Sequence, residues 1–245
     1  MTRQAIITLL SAMVAMGMLA GCNNSNNPTA PVKSNPVDLT WTTLFSEGFE
    51  SQGDTANWRP NYMITVGDFY PQMRITSDAA HTGAHSITTD SNSTALLYYI
   101  DDRIETGAVV AEFYIRANAL GQTNFTVELG QNAGSSGGLG KSFGMGFDQT
   151  DSVKCTYFDT YTGQNDKMLS RIQINRWYKC AVEVNFTAAT ISYYLDDAKV
   201  KSVPRPTQEM YGIDRLLVFR GVGLNGDGAE GPKSYFADDI VVYKK

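Results

Sequence analysis

Apolar and polar residues trade places at every second position in short runs from Thr43 to the end of the chain, and Gly, Asn, Asp and Thr separate the runs. Val109, Ala111, Phe113 and Ile115 alternate with Val110, Glu112, Tyr114 and Arg116. Phe125, Val127 and Leu129 alternate with Thr126 and Glu128, and Cys180, Val182, Val184 and Phe186 alternate with Ala181, Glu183 and Asn185. A period of two sends successive side chains to opposite faces of a strand, one face for a core and one for water. Almost no segment carries the helical period of 3.6 residues. These runs restrict the fold to all-β antiparallel sheets, a β-sandwich or jelly roll.

Strands are expected at Thr43–Phe49, Met63–Val66, Met73–Thr76, Ser86–Thr89, Ala95–Ile100, Ala108–Ala117 and Phe125–Leu129. Seven more are expected at Ser142–Phe147, Ser152–Phe158, Lys167–Ile174, Trp177–Phe186, Thr190–Leu195, Asp214–Arg220 and Tyr235–Tyr243. Glycine-rich stretches at Gly130–Gly140 and Gly221–Gly231 read as loops. The strands fill one domain, from Leu39 to Lys245, and no internal repeat divides it.

The segment before that domain has a different character. Arg3 precedes an apolar run, Ala5 to Met18, that is short for a membrane span. The run ends in Leu19-Ala20-Gly21-Cys22, which resembles the lipobox of bacterial lipoproteins. That resemblance implies a signal peptide over residues 1–22, with cleavage before Cys22 and acyl chains on the new N-terminus. Several chains at ~0.8 kcal/mol per buried CH₂ hold a protein stably on a membrane. Asn23 in the following position points to the outer membrane. Residues 23–38 are Asn, Pro, Ser and Thr with little to bury, and read as a disordered tether.

Composition narrows the partners. The chain has 20 Lys and Arg against 25 Asp and Glu, a formal net charge of −5, and no basic stripe, which argues against nucleic acid. With Cys22 assigned to lipid, Cys155 and Cys180 remain in an oxidising compartment, where a disulfide is expected. Such a bond would contribute roughly 3–4 kcal/mol. Two reduced core cysteines are the alternative.

The last strand carries the chemical question. Continuous alternation through Tyr235–Tyr243 places Phe236, Asp238, Ile240 and Val242 on one face. If that face is the core, Asp238 is a buried carboxylate that needs hydrogen bonds or a cation. Phe45-Ser-Glu-Gly-Phe-Glu50 lies near the start of the domain, followed by Trp58 and by Ser77-Asp-Ala-Ala-His-Thr-Gly-Ala-His-Ser-Ile87. Together with Tyr235-Phe-Ala-Asp-Asp-Ile240, these pieces resemble calcium-containing jelly-roll carbohydrate-binding modules. More broadly they are similar to concanavalin A-like and laminin G-like jelly rolls. Gly107 leading into Val109–Ile115, and Trp177 with Tyr194-Leu-Asp-Asp197, fit the same group.

The resemblance implies a structural Ca²⁺ that ties the termini together. Glu50 and Asp238 would be side-chain ligands, His81 and Gly83 would give carbonyl oxygens, and Asp239 or Asp54 would be lesser candidates. It also implies a polysaccharide or other glycan on the polar face of a sheet. Glu112, Tyr114 and Arg116 share such a face, and Glu128, with Thr126, is expected beside them. Loop aromatics Trp58, Tyr62, Phe69, Tyr70, Tyr161 and Tyr211 are alternative contacts.

Catalytic signatures are scarce. Gly134-Ser-Ser-Gly-Gly138 lacks a strand-to-helix elbow, and Gly221-Val-Gly-Leu-Asn-Gly226 lacks a following helix. The chain has two histidines, and the Glu-x-Asp-x-x-Glu motif of concanavalin-like glycosidases is missing. The leading expectation is therefore an envelope-anchored lipoprotein that binds carbohydrate without cleaving it. The alternatives are a polysaccharide lyase or glycoside hydrolase using Glu112 or Glu128 with Tyr114 or Arg116, and an adhesion protein that binds no glycan.

Overall fold

In the computed structural model the alternation becomes, among the described residues, sixteen strands in two antiparallel sheets. The structure describes residues 41–51, 53, 63–65, 73–89, 94–119, 125–132, 139–147, 152–159, 163–164, 167–206, 212–220 and 235–245. Cys22, the segment 23–38, Asp54, Trp58, Tyr62, Phe69, Tyr70, Tyr161, Tyr211 and both glycine-rich motifs set aside above lie outside the described residues.

The strands are β1 (Thr42–Glu47), β2 (Met63–Thr65), β3 (Met73–Thr76), β4 (Ser86–Thr89), β5 (Thr94–Ile104), β6 (Ala108–Ala117), β7 (Phe125–Asn132) and β8 (Leu139–Phe147). They continue as β9 (Ser152–Asp159), β10 (Gly163–Gln164), β11 (Lys167–Arg171), β12 (Trp177–Asn185), β13 (Thr190–Leu195), β14 (Ala198–Pro204), β15 (Ile213–Arg220) and β16 (Tyr235–Lys244). The first sheet runs β14-β13-β12-β6-β16-β4-β3, with β1 also on β16. The second runs β10-β9-β8-β7-β15-β5-β2, with β11 also on β9.

The inward faces meet in one core. Ala111, Phe113, Ile115, Tyr178, Val182, Tyr235 and Val242 of the first sheet are buried with Phe125, Val127, Leu129, Phe143, Met145 and Phe147 of the second. Tyr235 stacks on Phe125 with centroids 5.6 Å apart, and Tyr178 meets Phe147 edge-on at 6.1 Å. These rings join strands of opposite sheets. Each fully buried aromatic contributes about 1.5–3 kcal/mol by leaving water.

Two expectations are corrected. The disulfide is not formed: Cys155 and Cys180 are both buried thiols. Cys155 is on β9 of the second sheet and Cys180 on β12 of the first, so the two strands are neighbours in neither sheet. Burial pushes the Cys180 thiol well up, which keeps it protonated and inert. The even alternation of β16 is also broken. Asp238 pairs with Tyr114 and Val241 with Glu112, so Asp239 and Ile240 together oppose Phe113. Asp239 adopts φ +48, as the extra residue of a bulge must to turn the chain. Tyr235 and Ala237 face the core before the bulge, Ile240 and Val242 after it. Asp238 therefore points away from the core, on the face of Tyr114, although it is 0% exposed.

Candidate functional site

Asp238 is buried because of how β16 is flanked. Along its first half β16 pairs with β4, through Ala237 and Ile87, and along its second half with β1, through Ile240 and Glu47. The two partners leave a break at Asp238–Asp239, where the chain after β1 and the turn before β4 meet. Asp238 Oδ2 accepts the His81 amide at 2.7 Å and the Thr82 amide at 3.4 Å. Glu50 accepts the Ala84 amide at 3.0 Å and the His85 amide at 2.8 Å. Between these pairs Gly83 has φ +64, and a Cβ there would overlap the Glu50 carboxylate. Thr82 donates its hydroxyl to Asp239 at 2.6 Å, and His81 Nδ1 lies 2.7 Å from Asp239 Oδ2. The structure thus gathers Glu50, His81, Gly83, Asp238 and Asp239 in one place. Burial, and then the Asp239 charge, push Asp238 up to about 8.

This donor set does not match the calcium arrangement as implied. Ca²⁺ takes 6–8 oxygens at 2.3–2.6 Å. Here His81 reaches Asp238 through N–H, and the turn directs four amides at the two carboxylates. Among the described residues no three His, Cys, Asp or Glu side chains converge as a metal-holding group.

The polar face expected for a glycan is divided between two surfaces. Glu112, Tyr114 and Arg116 do share the outward face of β6. Register adds Trp177 beside Arg116 and Lys179 beside Tyr114. Glu128 is not beside them: β7 belongs to the second sheet, so it points from the opposite side of the sandwich. The first-sheet groups are engaged by one another. His81 stacks on Tyr114 at 3.5 Å, and Lys179 Nζ lies 2.7 Å from Asp197 and 3.4 Å from Glu112. Arg116 donates to Asn118 and Asn175, both at 3.1 Å. Tyr114 is raised above the ordinary tyrosine value by burial.

The outward face of the second sheet is the less expected one. Leu217, Glu128 and Gly144 lie in one register row across β15, β7 and β8. Thr126, Gly146 and Lys154 form the next row, across β7, β8 and β9. Arg215, Gly130 and Ser142 form the row on the other side, with Tyr99 beyond Arg215 on β5. These groups point away from the core and are nonetheless buried: Arg215 and Lys154 are 1% exposed and Glu128 8%. Thr126 donates to Glu128 Oε1 at 2.7 Å and Ser142 to Oε2 at 2.5 Å. The Glu128 side chain lies over Gly144, where a Cβ would strike it.

Sequence reasoning found Glu128 and missed Arg215, Lys154, Ser142 and Tyr99. A signal existed. Gly144 and Gly146 alternate with Phe143, Met145 and Phe147, which marks an outward face stripped of side chains. Lys154 and Arg215 hold the outward phase of strands whose core phase, Val153 and Cys155 or Leu216 and Val218, is apolar.

No family model matches this sequence, and no curated protein does. Solved structures do match in shape. An endo-β-1,4-glucuronan lyase from the fungus Trichoderma reesei superimposes with TM-score 0.58 at 11% identity, over 83% of this chain and 96% of that one. The cellulose induced protein Cip1 gives 0.58 at 14% identity, over 81% and 96%. The laminarinase catalytic domain from Thermotoga maritima gives 0.55 at 13% identity, over 84% and 98%. The fold is thus the concanavalin A-like jelly roll.

Proposed function

We propose that this chain is a lipid-anchored envelope protein that binds a polysaccharide along the outward face of its second sheet. One observation carries the reading: Arg215, Lys154 and Glu128 are withdrawn from water on a face that takes no part in the core. Withdrawing three charged side chains from water costs free energy that packing of the core does not require. Polar groups held in a desolvated row are what a ligand site uses to read hydroxyls. The lyase and the laminarinase that share the fold act on polysaccharides by name, which supports the same ligand class.

Binding is favoured over cleavage by what the face holds. Both histidines of the chain stand on the turn above the first sheet, so neither serves here as a base. Glycoside hydrolysis uses two carboxyl groups about 5–9.5 Å apart across the bond. Among the described residues of these three rows Glu128 is the single carboxylate. The anchor is Cys22, with residues 23–38 holding the domain off the bilayer.

The test is a glycan panel applied to the full-length chain in detergent, with Glu128→Gln beside it. Binding that the variant weakens about tenfold supports the reading, since losing a charged partner costs 1.5–3 kcal/mol. Retention of no glycan sinks it. Release of reducing ends or unsaturated products, lost in the variant, would make the protein an enzyme instead. Cys22→Ser should move the chain from the membrane to the soluble fraction.

A further inference from the structure

At the edge of the second sheet an open groove of about 500 Å³ is lined by Tyr99, Asp101, Arg103, Glu105, Asp214 and Arg215. Its volume falls within the roughly 300–1,000 Å³ of small-molecule sites. Tyr99 is 38% exposed, one of three large hydrophobic residues so placed among the described residues, and it lines this groove. One part of its ring is fixed from below: the guanidinium carbon of Arg215 lies 4.8 Å from the ring centre, and Arg215 is 1% exposed. A ring held on a buried cation loses little freedom when something stacks on its outer side.

The polar groups of the groove are equally fixed. Arg103 donates from Nε and Nη2 to Asp214 Oδ2, at 3.2 and 3.0 Å. Asp214 Oδ1 lies 3.5 Å from Arg215 Nε, so one carboxylate spans two guanidiniums. Arg103 stays 40% exposed along its side chain, with donors to spare at the rim. Three carboxylates, Asp101, Glu105 and Asp214, face two arginines in the groove lining. The balance is one negative charge, which repels an acidic sugar and leaves acceptors for the hydroxyls of a neutral one.

We infer that this groove is a subsite for a neutral sugar ring, with Tyr99 as its stacking platform and the Arg103–Asp214 pair reading its hydroxyls. The inference rests on the reading of the second sheet as the glycan-binding face and deepens it. Arg215 belongs to both places, being diagonal to Glu128 on the neighbouring strand and beneath Tyr99 on the other. Arg103 and Glu105 also line a smaller groove of about 280 Å³ beside Lys244 and Lys245. A bound chain therefore has room to continue past Tyr99.

The experiment is calorimetric titration of the full-length chain in detergent with cello-, laminari- and mannohexaose, and with glucuronan and polygalacturonate oligomers. Tyr99→Ala, Tyr99→Trp and Glu128→Gln are compared, with melting temperature as the check on folding. The expected result is binding of a neutral hexasaccharide, weakened at least tenfold in Tyr99→Ala and kept within about threefold in Tyr99→Trp. If Glu128→Gln weakens binding and Tyr99→Ala does not, the subsite is wrong and the glycan-binding face stands. Binding of acidic oligomers alone overturns the neutral-sugar assignment. No binding by any oligomer overturns both.

Discussion

The two outward faces of this sandwich are built by the same rule and end in opposite states. On the first sheet, alternation sends Glu112, Tyr114, Lys179 and Trp177 outward, and Lys179 is shared between Glu112 and an Asp197 whose side chain is 47% exposed. On the second it sends Glu128, Lys154 and Arg215 outward, and all three are buried. Alternation chooses the side; solvent exclusion decides what a side chain on that side is worth. Exposed ion pairs contribute about 0–1 kcal/mol, whereas a buried polar group left unsatisfied costs about 1–3 kcal/mol. Substitutions should therefore separate the faces by size of effect.

The largest effect should come from the floor of the second face. A Cβ on Gly146 would overlap the Phe125 carbonyl of the adjacent strand, so Gly146→Ala must spread β7 from β8. We expect a loss of at least ~3 kcal/mol, or about 6–12 °C in melting temperature. The matching change on the first face, Ala181→Ser, should move it by less than about 2 °C. Equal shifts would erase the distinction between the faces.

Next comes the bulge at Asp238, where a charged group of the first face is buried like those of the second. Asp238→Ala strands the amides of His81, Thr82 and Asp239, with an expected cost of about 2–3 kcal/mol. Its folded pKa, about 8, is above the ordinary value of 3.8. The folded state thus holds the proton more tightly, and this contribution is complete below pH 3.8 and lost as pH rises through 8. Wild-type stability should fall across that window, and Asp238→Asn should flatten the fall. Calcium offers a second way to offset the charge. If the carboxylates accept it, Ca²⁺ raises the midpoint at pH 8 in the wild type and not in Asp238→Asn. A midpoint that ignores both calcium and chelator leaves the amides and the proton as the latch.

The sequence made the strands legible where one face was apolar and the other polar. Met73–Thr76, Ser86–Thr89, Ala108–Ala117 and Thr190–Leu195 stand at the expected bounds. Ala198–Pro204 went unread because it is an edge strand, partly exposed throughout, so neither face is apolar. Alternation also cannot say which sheet a strand joins. That is why Glu128 was expected beside Glu112; the cysteine pairing was expected from the compartment, which says nothing of where β9 and β12 lie. The Asp238 bulge was hidden for another reason. Asp239 in a left-handed conformation leaves the residue pattern unchanged and shifts its phase by one.

A redox measurement sharpens the cysteine correction. Because Cys155 and Cys180 are buried thiols, reductant should leave the melting temperature unchanged. A disulfide would instead show a fall equivalent to about 3–4 kcal/mol on reduction.

The smallest effect belongs to the first face. Asp196 and Asp197 turn the hairpin between β13 and β14 with φ of +49 and +66, a conformation that favours glycine. Asp197→Gly relieves that backbone cost and removes the ion pair to Lys179, whose side chain is 11% exposed against 47% for Asp197. The gain from glycine, up to about 1 kcal/mol, is of the same size as the loss of a surface ion pair. The two should nearly cancel, giving a midpoint shift under about 2 °C. A loss beyond ~2 kcal/mol would mean that Lys179 is as desolvated as Lys154. The first face would then be a second polar site rather than the solvated back of the sandwich.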